Sequence, residues 1–320
     1  MKIQSKSISI IDHANDQNWN HVFFIVNPVT AILARLIIER FKIDKKNLII
    51  YSLRNTDVSI IGDDYKHLKK SIFRRLFIKL GLNSVSNSIL NDLKKKNSPF
   101  LIYCSWCFHE SVSTPSINRI LESELSRGHL YIEEGQATYR PSRPFNINEQ
   151  VKEIHKHAES FKQMYRDDAY GYISILKDAF PKVPKEKKLI LDNLNDLKNF
   201  YKPKLLGIKS IGLTCAQRRI QDNEWETMLR KLFKSMPEGG IVKIHPSFLT
   251  DNKKRKKILS IFSKLQDQYK NIELCDDDVI LEIEMLYEKK ELIGSITSLE
   301  VYADNFGSDF KKIELFKATS

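Results

Sequence analysis

The sequence predicts an α/β protein built from two doubly wound halves. Short apolar runs alternate with longer segments of helical periodicity, the alternation stops between residues 150 and 204, and it then restarts. Strands that alternate with helices are typical of a parallel sheet covered by helices on both faces. A chain of 320 residues, 42% hydrophobic and 29% charged, is long enough for two such domains.

The predicted strands are apolar runs that end at turn residues or polar residues. In the first half, the strands cover 21–26, 47–52, 99–104 and 129–133, a turn forms at Asn27 and Pro28, and helices cover 31–41, 66–79 and 117–125. In the second half, the strands cover 209–214, 241–244, 271–274 and 291–295, and helices cover 225–236 and 254–269 and begin near 279 and 297. The three aspartates at 276–278 are predicted to cap the helix that begins near 279.

The segment between the halves is rich in lysine and is predicted to be helical. Its clearest linker signal is the lysine-rich and proline-rich stretch at 181–188. The predicted domains are therefore residues 1–183 and 205–320, joined by a linker at 184–204.

Composition limits the class of protein. The four cysteines exclude a disulfide scaffold. No apolar run reaches the roughly 18 residues of a membrane span, and the N-terminus lacks the apolar core of a signal peptide. We therefore expect an intracellular protein that is soluble or attached peripherally to a membrane.

The net charge of +12 permits binding to polyanions. No RNP, KH, zinc-finger or helix-turn-helix signature accompanies it, so nucleic acid is not an expected partner, and a basic nucleic-acid-binding protein is the alternative from another class. Residues 66–79 combine basic and apolar side chains at helical spacing. This pattern is typical of a helix that binds an anionic lipid surface, and a solvated helix face is the alternative.

Three short motifs follow predicted strands, at the sheet edge where open α/β folds bind ligands. The first is Glu133-Glu134-Gly135. Neighbouring side chains at a strand tip point to opposite faces, so at most one carboxylate faces a given substrate, where it can act as a general base. The alternative is a polar turn whose glycine permits positive φ.

The second motif runs from Lys243 to Pro246. The proline restricts His245 to extended geometry at the strand tip, where the imidazole can donate to a phosphate. A structural histidine is the alternative. The third motif runs from Ser295 to Ser298, where hydroxyl groups and free N–H groups at a helix start form an anion site or simply cap the helix.

This set of motifs, in this order, resembles the bacterial sialyltransferases of the GT-B type, which include lipooligosaccharide sialyltransferases and capsular polysialyltransferases. Those enzymes share an acidic pair followed by glycine, a His-Pro pair and a serine/threonine pair. The matching residues here are Glu133-Glu134-Gly135, His245-Pro246 and Thr297-Ser298. The resemblance implies an α/β fold of GT-B type, in which two Rossmann-like doubly wound domains face a central cleft.

The resemblance also implies an inverting, metal-independent transfer of sialic acid from CMP-sialic acid (CMP-Neu5Ac) to a glycan hydroxyl group, without a cofactor. In that reaction Glu133, or its neighbour Glu134, takes the proton of the acceptor hydroxyl group. His245 stabilises the leaving CMP phosphate, and Thr297 and Ser298 hold the same phosphate. A carboxylate opposite the leaving group suits an oxocarbenium-like transition state.

Further contacts are predicted from position alone. On the acceptor side they are Gly135, His109, Tyr139 and Arg140, and on the donor side Ser295, Pro246, Lys243, Thr214, Gln217, Arg218 and Glu282. Arg218 or Arg219 is a candidate partner for the sialic acid carboxylate, and an exposed helix start is the alternative. Glu282 is a candidate partner for the ribose hydroxyls, and a solvated helical residue is the alternative. Cys104 and Cys107 have the spacing of a redox pair or of half a zinc site. Buried cysteines are the default interpretation of such a pair, so no metal site is predicted.

The expected product is a sialylated lipooligosaccharide, O-antigen or capsule. Such acceptors are lipid-linked at the inner membrane, which makes an anionic membrane surface the expected partner of residues 66–79 and a cytoplasmic, peripheral location the expected one. Other CMP-activated ulosonic acids (Kdo, legionaminic acid and pseudaminic acid) share the carboxylate and the leaving group, and they stay open as donors.

Overall fold

The chain divides into two compact units, Met1–Leu197 and Lys198–Ser320. The boundary lies within the segment 184–204 that the sequence predicts as a linker. The structure, a computed structural model, describes residues 10–53, 56, 58–62, 64–68, 84–105, 117–139, 168–214, 222–245, 252–295 and 297–314. No helix within these ranges has the length and apolar character needed to cross a membrane.

The first unit contains a seven-stranded parallel sheet in the order β3-β2-β1-β4-β5-β6-β7. The strands are β1 (Asn20–Ile25), β2 (Leu48–Ser52), β3 (Lys66–His67), β4 (Phe100–Cys104), β5 (Ser126–Ile132), β6 (Gly171–Ser174) and β7 (Lys188–Ile190). The described helices are α1 (Ile10–Ala14), α2 (Pro28–Phe41), α3 (Ser84–Lys96), α4 (Ile117–Leu121) and α5 (Gln136–Tyr139). The strand order reverses between β1 and β4, which makes the carboxyl ends of these two strands the switch point of the sheet.

Local sequence explains the centre of this sheet. Strands β1 and β4 are buried along their whole length, as expected for strands covered on both faces. Helix α2 starts where Asn27 caps it and Pro28 occupies a first-turn position that needs no N–H donor. The helix ends at Lys42, which adopts a left-handed conformation with φ of 49°.

The second unit contains a five-stranded parallel sheet in the order β10-β9-β8-β11-β12. The strands are β8 (Ser210–Leu213), β9 (Gly240–Lys243), β10 (Ile272–Leu274), β11 (Glu291–Gly294) and β12 (Asp309–Lys312). The described helices are α6 (Asp222–Lys234), α7 (Asn252–Gln266), α8 (Leu281–Tyr287) and α9 (Leu299–Phe306). The switch point of this sheet lies between β8 and β11. Trp225, Phe233 and Phe262 belong to the hydrophobic core that α6 and α7 build with the sheet.

The prediction that residues 150–204 are helical is wrong for the part that the structure describes. Strands β6 and β7 lie in this segment and form one side of the first sheet. They have four and three residues, and β7 is only partly buried, so neither produces the long apolar run that marked the other strands.

The predicted basic helix at 66–79 does not begin at Lys66. Lys66 and His67 form the short edge strand β3, and Lys66 Nζ lies 2.9 Å from a carboxylate oxygen of Asp92. Residues 69–79 lie outside the described residues.

The predicted capping of α8 by the three aspartates is also wrong. The N-cap residue is Ile280, and no side chain caps it. The carboxylates of Asp277 and Asp278 instead form ion pairs with Arg255 and Lys204.

Candidate functional site

Glu133 lies directly after β5, at the carboxyl edge of the first sheet, and its side chain is fully buried. Its Oε2 atom accepts a hydrogen bond from the N–H of Ile175 at 2.8 Å, and its Oε1 atom accepts one from the hydroxyl group of Tyr139. Ile175 follows β6 and Tyr139 ends α5. The carboxylate therefore ties the tips of the neighbouring strands β5 and β6 to α5, the helix that follows β5.

Glu134 is half-buried, and both ends of its backbone are held. Its N–H donates to Oγ1 of Thr138 at 3.1 Å, and its carbonyl oxygen accepts from Nδ2 of Asn27 at 2.6 Å. Gly135 follows with φ of 104°, a conformation that residues with a side chain rarely adopt, and the chain turns there into α5. The two adjacent glutamates thus have different surroundings.

Asn27, which holds the Glu134 carbonyl, is absent from the residues that the sequence predicts for the site. It follows β1, and β4 lies between β1 and β5 in the sheet, so its hydrogen bond spans the carboxyl end of the central strand. The signal in the sequence is the Asn-Pro-Val-Thr pattern after a strand, which we interpreted only as a turn.

In the second unit, the three donor-side segments follow three neighbouring strands. Thr214 follows β8, His245 follows β9 after Ile244, and the segment from Ser295 follows β11, while β8 lies between β9 and β11. The N–H of His245 donates to Oγ1 of Thr214 at 2.8 Å, although the two residues are 31 positions apart. Thr214 is buried and donates its own N–H to the carbonyl of Lys243 at 3.2 Å.

Lys243 is only 8% exposed, and its ammonium group holds the loop between β10 and α8. Its Nζ atom donates to the carbonyl oxygens of Asp276 at 2.5 Å and Asp277 at 2.8 Å. Burial lowers the pKa of Lys243, and nearby groups that include Asp277 and Glu282 oppose the shift. Burial also raises the pKa of the neighbouring Cys275 thiol to about 11. The ammonium group therefore fixes a loop that leads to Glu282, which is itself buried.

Ser295, Thr297 and Ser298 are half-buried at the start of α9. Oγ1 of Thr297 accepts a hydrogen bond from the N–H of Leu299 at 3.4 Å. Ser298 occupies the N-cap position with φ of −64° and ψ of −24°, and its side chain makes no capping bond. At this helix start, the backbone N–H of Leu299 is therefore bonded by the hydroxyl group of Thr297 and not by that of Ser298.

A buried carboxylate of α8 that the sequence analysis did not identify is Glu284. It is fully buried and accepts hydrogen bonds from the hydroxyl of Tyr201 at 2.7 Å and from the N–H groups of Lys204 at 2.8 Å and Leu205 at 3.1 Å. These bonds tie the segment that enters the second unit to α8. The signal was a second glutamate, two positions after Glu282, inside an apolar helix.

Several predicted site residues lie in parts of the chain that the structure does not describe. They are His109 and Cys107 in 106–116, Arg140 in 140–167, Gln217 and Arg218 in 215–221, and Pro246 in 246–251.

No protein-family model matches the chain, and no curated protein matches it in sequence. Its fold is similar to that of solved structures. S. aureus MnaA in a structure with UDP has a TM-score of 0.54 and 12% identity over 91% of this chain and 78% of that one. A putative UDP-N-acetylglucosamine 2-epimerase from Listeria monocytogenes has a TM-score of 0.54 and 12% identity over 92% of this chain and 78% of that one. The two parallel-sheet α/β units therefore have a fold of GT-B type, as the sequence predicts.

Proposed function

We propose that this chain is a glycosyltransferase that uses a nucleotide-activated sugar and that its donor is CMP-sialic acid. The observation that best supports the proposal is that Thr214, His245 and Thr297 follow the three neighbouring strands β8, β9 and β11. Open α/β sheets bind ligands at the carboxyl ends of their strands, beside the switch point. Two hydroxyl groups and an imidazole there suit a phosphate that carries a single negative charge.

The hydrogen bond between His245 and Thr214 supports the donor side of the proposal. Oγ1 of Thr214 accepts the N–H of His245, so its own hydrogen can donate to a phosphate oxygen. The same bond holds the His245 backbone at the strand tip, from which the imidazole can donate to the leaving CMP. Lys243 contributes indirectly, because it holds the loop that leads to Glu282, the candidate partner of the ribose hydroxyls.

The acceptor hydroxyl group must lose its proton to a base, and we assign this role to Glu134 rather than Glu133. Glu133 is fully buried, and both of its carboxylate oxygens accept hydrogen bonds from Tyr139 and Ile175. Glu134 is half-buried and is held through its backbone. A positioned general base contributes about 10²–10⁴-fold to the rate of such a transfer.

A second candidate is an enzyme that acts on a UDP-sugar. The MnaA structure contains UDP, and the Listeria protein is named as a UDP-N-acetylglucosamine 2-epimerase. The two candidates differ in their leaving groups, because UDP carries one phosphate more than CMP and needs more positive charge around it. Nucleotide preference therefore separates them directly.

Calorimetry with CMP and UDP, followed by assays of CMP release from CMP-Neu5Ac in EDTA, tests the proposal. We expect CMP to bind more tightly than UDP and a galactose-terminated acceptor to stimulate release. We expect the His245→Ala substitution to lower the turnover rate by about 10²-fold or more. Ser235→Ala is the control, because Ser235 donates to a helix carbonyl away from the strand tips. Preferred binding of UDP would favour the second candidate, and binding of neither nucleotide would refute both.

A further inference from the structure

The carboxamide of Asn27 serves two partners at once. Its Oδ1 atom accepts the N–H of Thr30 at 3.0 Å, which caps α2, and its Nδ2 atom donates to the carbonyl of Glu134 at 2.6 Å. One partner can only donate and the other can only accept, so the orientation of the amide follows from its hydrogen bonds. The cap uses only the oxygen, and the amide nitrogen is left to reach a residue 107 positions away.

The Glu134 backbone is thereby held from two elements. Thr138 of α5 accepts its N–H, and Asn27 at the start of α2 donates to its carbonyl. The hydroxyl group of Thr30 accepts the N–H of Asn27 at 3.1 Å, which completes the capping box and fixes the Asn27 backbone. The carbonyl of Glu134 therefore cannot move away from β1 without breaking the bond to Asn27.

We infer that Asn27 is a positioning residue, which holds Glu134 where its carboxylate can take the proton of the acceptor hydroxyl group. The inference rests on the proposed function, because it needs Glu134 to act as the base. Asn27 does not touch the reacting atoms and acts only through the backbone of Glu134. A general base that is displaced by about 1 Å can lose roughly 10²-fold in rate, so a single backbone bond can be decisive.

Two substitutions separate the bond to Glu134 from the cap of α2. Asn27→Asp keeps a capping oxygen of equal quality but faces the Glu134 carbonyl with an oxygen instead of an N–H. Asn27→Ser also keeps a capping oxygen, adds no charge and is too short to reach Glu134. Agreement between the two variants assigns their common effect to the lost hydrogen bond.

Asn47→Asp is a matched control. Asn47 also donates its Nδ2 to a backbone carbonyl, that of Gln17, at the same distance of 2.6 Å. It lies immediately before β2, at the amino ends of the strands of the same sheet, and the contact is exposed. The substitution therefore repeats the chemical change of Asn27→Asp in the same unit and away from the site.

The test measures kcat, the KM for CMP-Neu5Ac and hydrogen exchange of residues 134–138 in the full chain. For both Asn27 variants we expect faster exchange at 134–138, a kcat lowered by about 10–100-fold and a donor KM changed less than about twofold. The Asn47→Asp variant should match the unchanged protein in all three. If the unchanged protein is active and an Asn27 variant has the same kcat, the inference is overturned and the proposed function is left intact. Absence of transfer by the unchanged protein would refute the proposed function, and the inference would fall with it.

Discussion

Replacing Glu133 by glutamine keeps the shape of a side chain that joins three elements of the first unit but removes its charge. The carboxylate accepts from the N–H of Ile175 after β6 and from the hydroxyl of Tyr139 in α5. The glutamine carbonyl can keep the bond from Ile175. Its NH₂ group then faces Tyr139, whose hydroxyl group must turn from donor to acceptor.

The size of the effect follows from these two bonds. Hydrogen bonds to charged groups contribute about 1.5–3 kcal/mol to stability, whereas neutral ones contribute about 0.5–1.5 kcal/mol. Weakening both bonds in a fully buried position should therefore lower the free energy of unfolding by about 2 kcal/mol. For a unit of this size, that loss lowers Tm by about 4–8 °C.

Glu134→Gln is the matched comparison. The described hydrogen bonds of Glu134 use its backbone N–H and carbonyl, and a change of side chain leaves these in place. We therefore expect the Glu134→Gln protein to fold with its backbone at this position held as before. Its transfer rate should fall by about 10²–10⁴-fold, because it removes the proposed base.

Thermal and urea unfolding, followed by circular dichroism, give the stabilities of the two variants. Their transfer rates are measured as CMP release at a temperature below the lower of the two Tm values. The expected pattern is an active but less stable Glu133→Gln protein and a folded but inactive Glu134→Gln protein. Unchanged stability of Glu133→Gln would refute the structural role of its carboxylate. Full activity of Glu134→Gln would refute the assignment of Glu134 as the base.

Three further predictions concern the second unit. Gly240→Ala should lower the free energy of unfolding in urea by about 1–3 kcal/mol more than Gly62→Ala does. Both glycines have φ near +145°, but only at Gly240 would an added Cβ lie 2.3 Å from a backbone oxygen, that of Ser210. Equal losses of stability in the two variants would contradict this. Tyr201→Phe removes a donor from the buried Glu284 and should cost about 1–3 kcal/mol in the same assay, whereas unchanged stability would contradict the contact. Burial lowers the pKa of Lys243 from 10.5, so the unfolded state binds its proton more readily. The unchanged protein should therefore gain stability relative to Lys243→Met as the pH rises toward 10.5. A difference that does not vary with pH would refute this.

Much of the fold could be predicted from the sequence because its signals are local. The apolar runs of β1, β2 and β4 and of the last residues of β5 are continuous, and each ends at a turn residue or polar residue. The two-unit organisation was predicted from an interruption of this alternation at 150–204, although that segment contains β6 and β7 of the first sheet. Strands β6 and β7 were missed because they are short, and an edge strand such as β7 is recognised mainly by the neighbour it pairs with.

The sequence by itself also determined which residues stand at the carboxyl ends of strands, because a motif directly after an apolar run must lie at that edge. It could not determine which of those edges are neighbours. Only the tertiary structure decided that β8 lies between β9 and β11, that Glu133 is enclosed by Tyr139 and Ile175, and that Asn27 holds Glu134. The bonds to Ile175 and Asn27 join residues 42 and 107 positions apart, and such contacts form only when the strands pack in their final order.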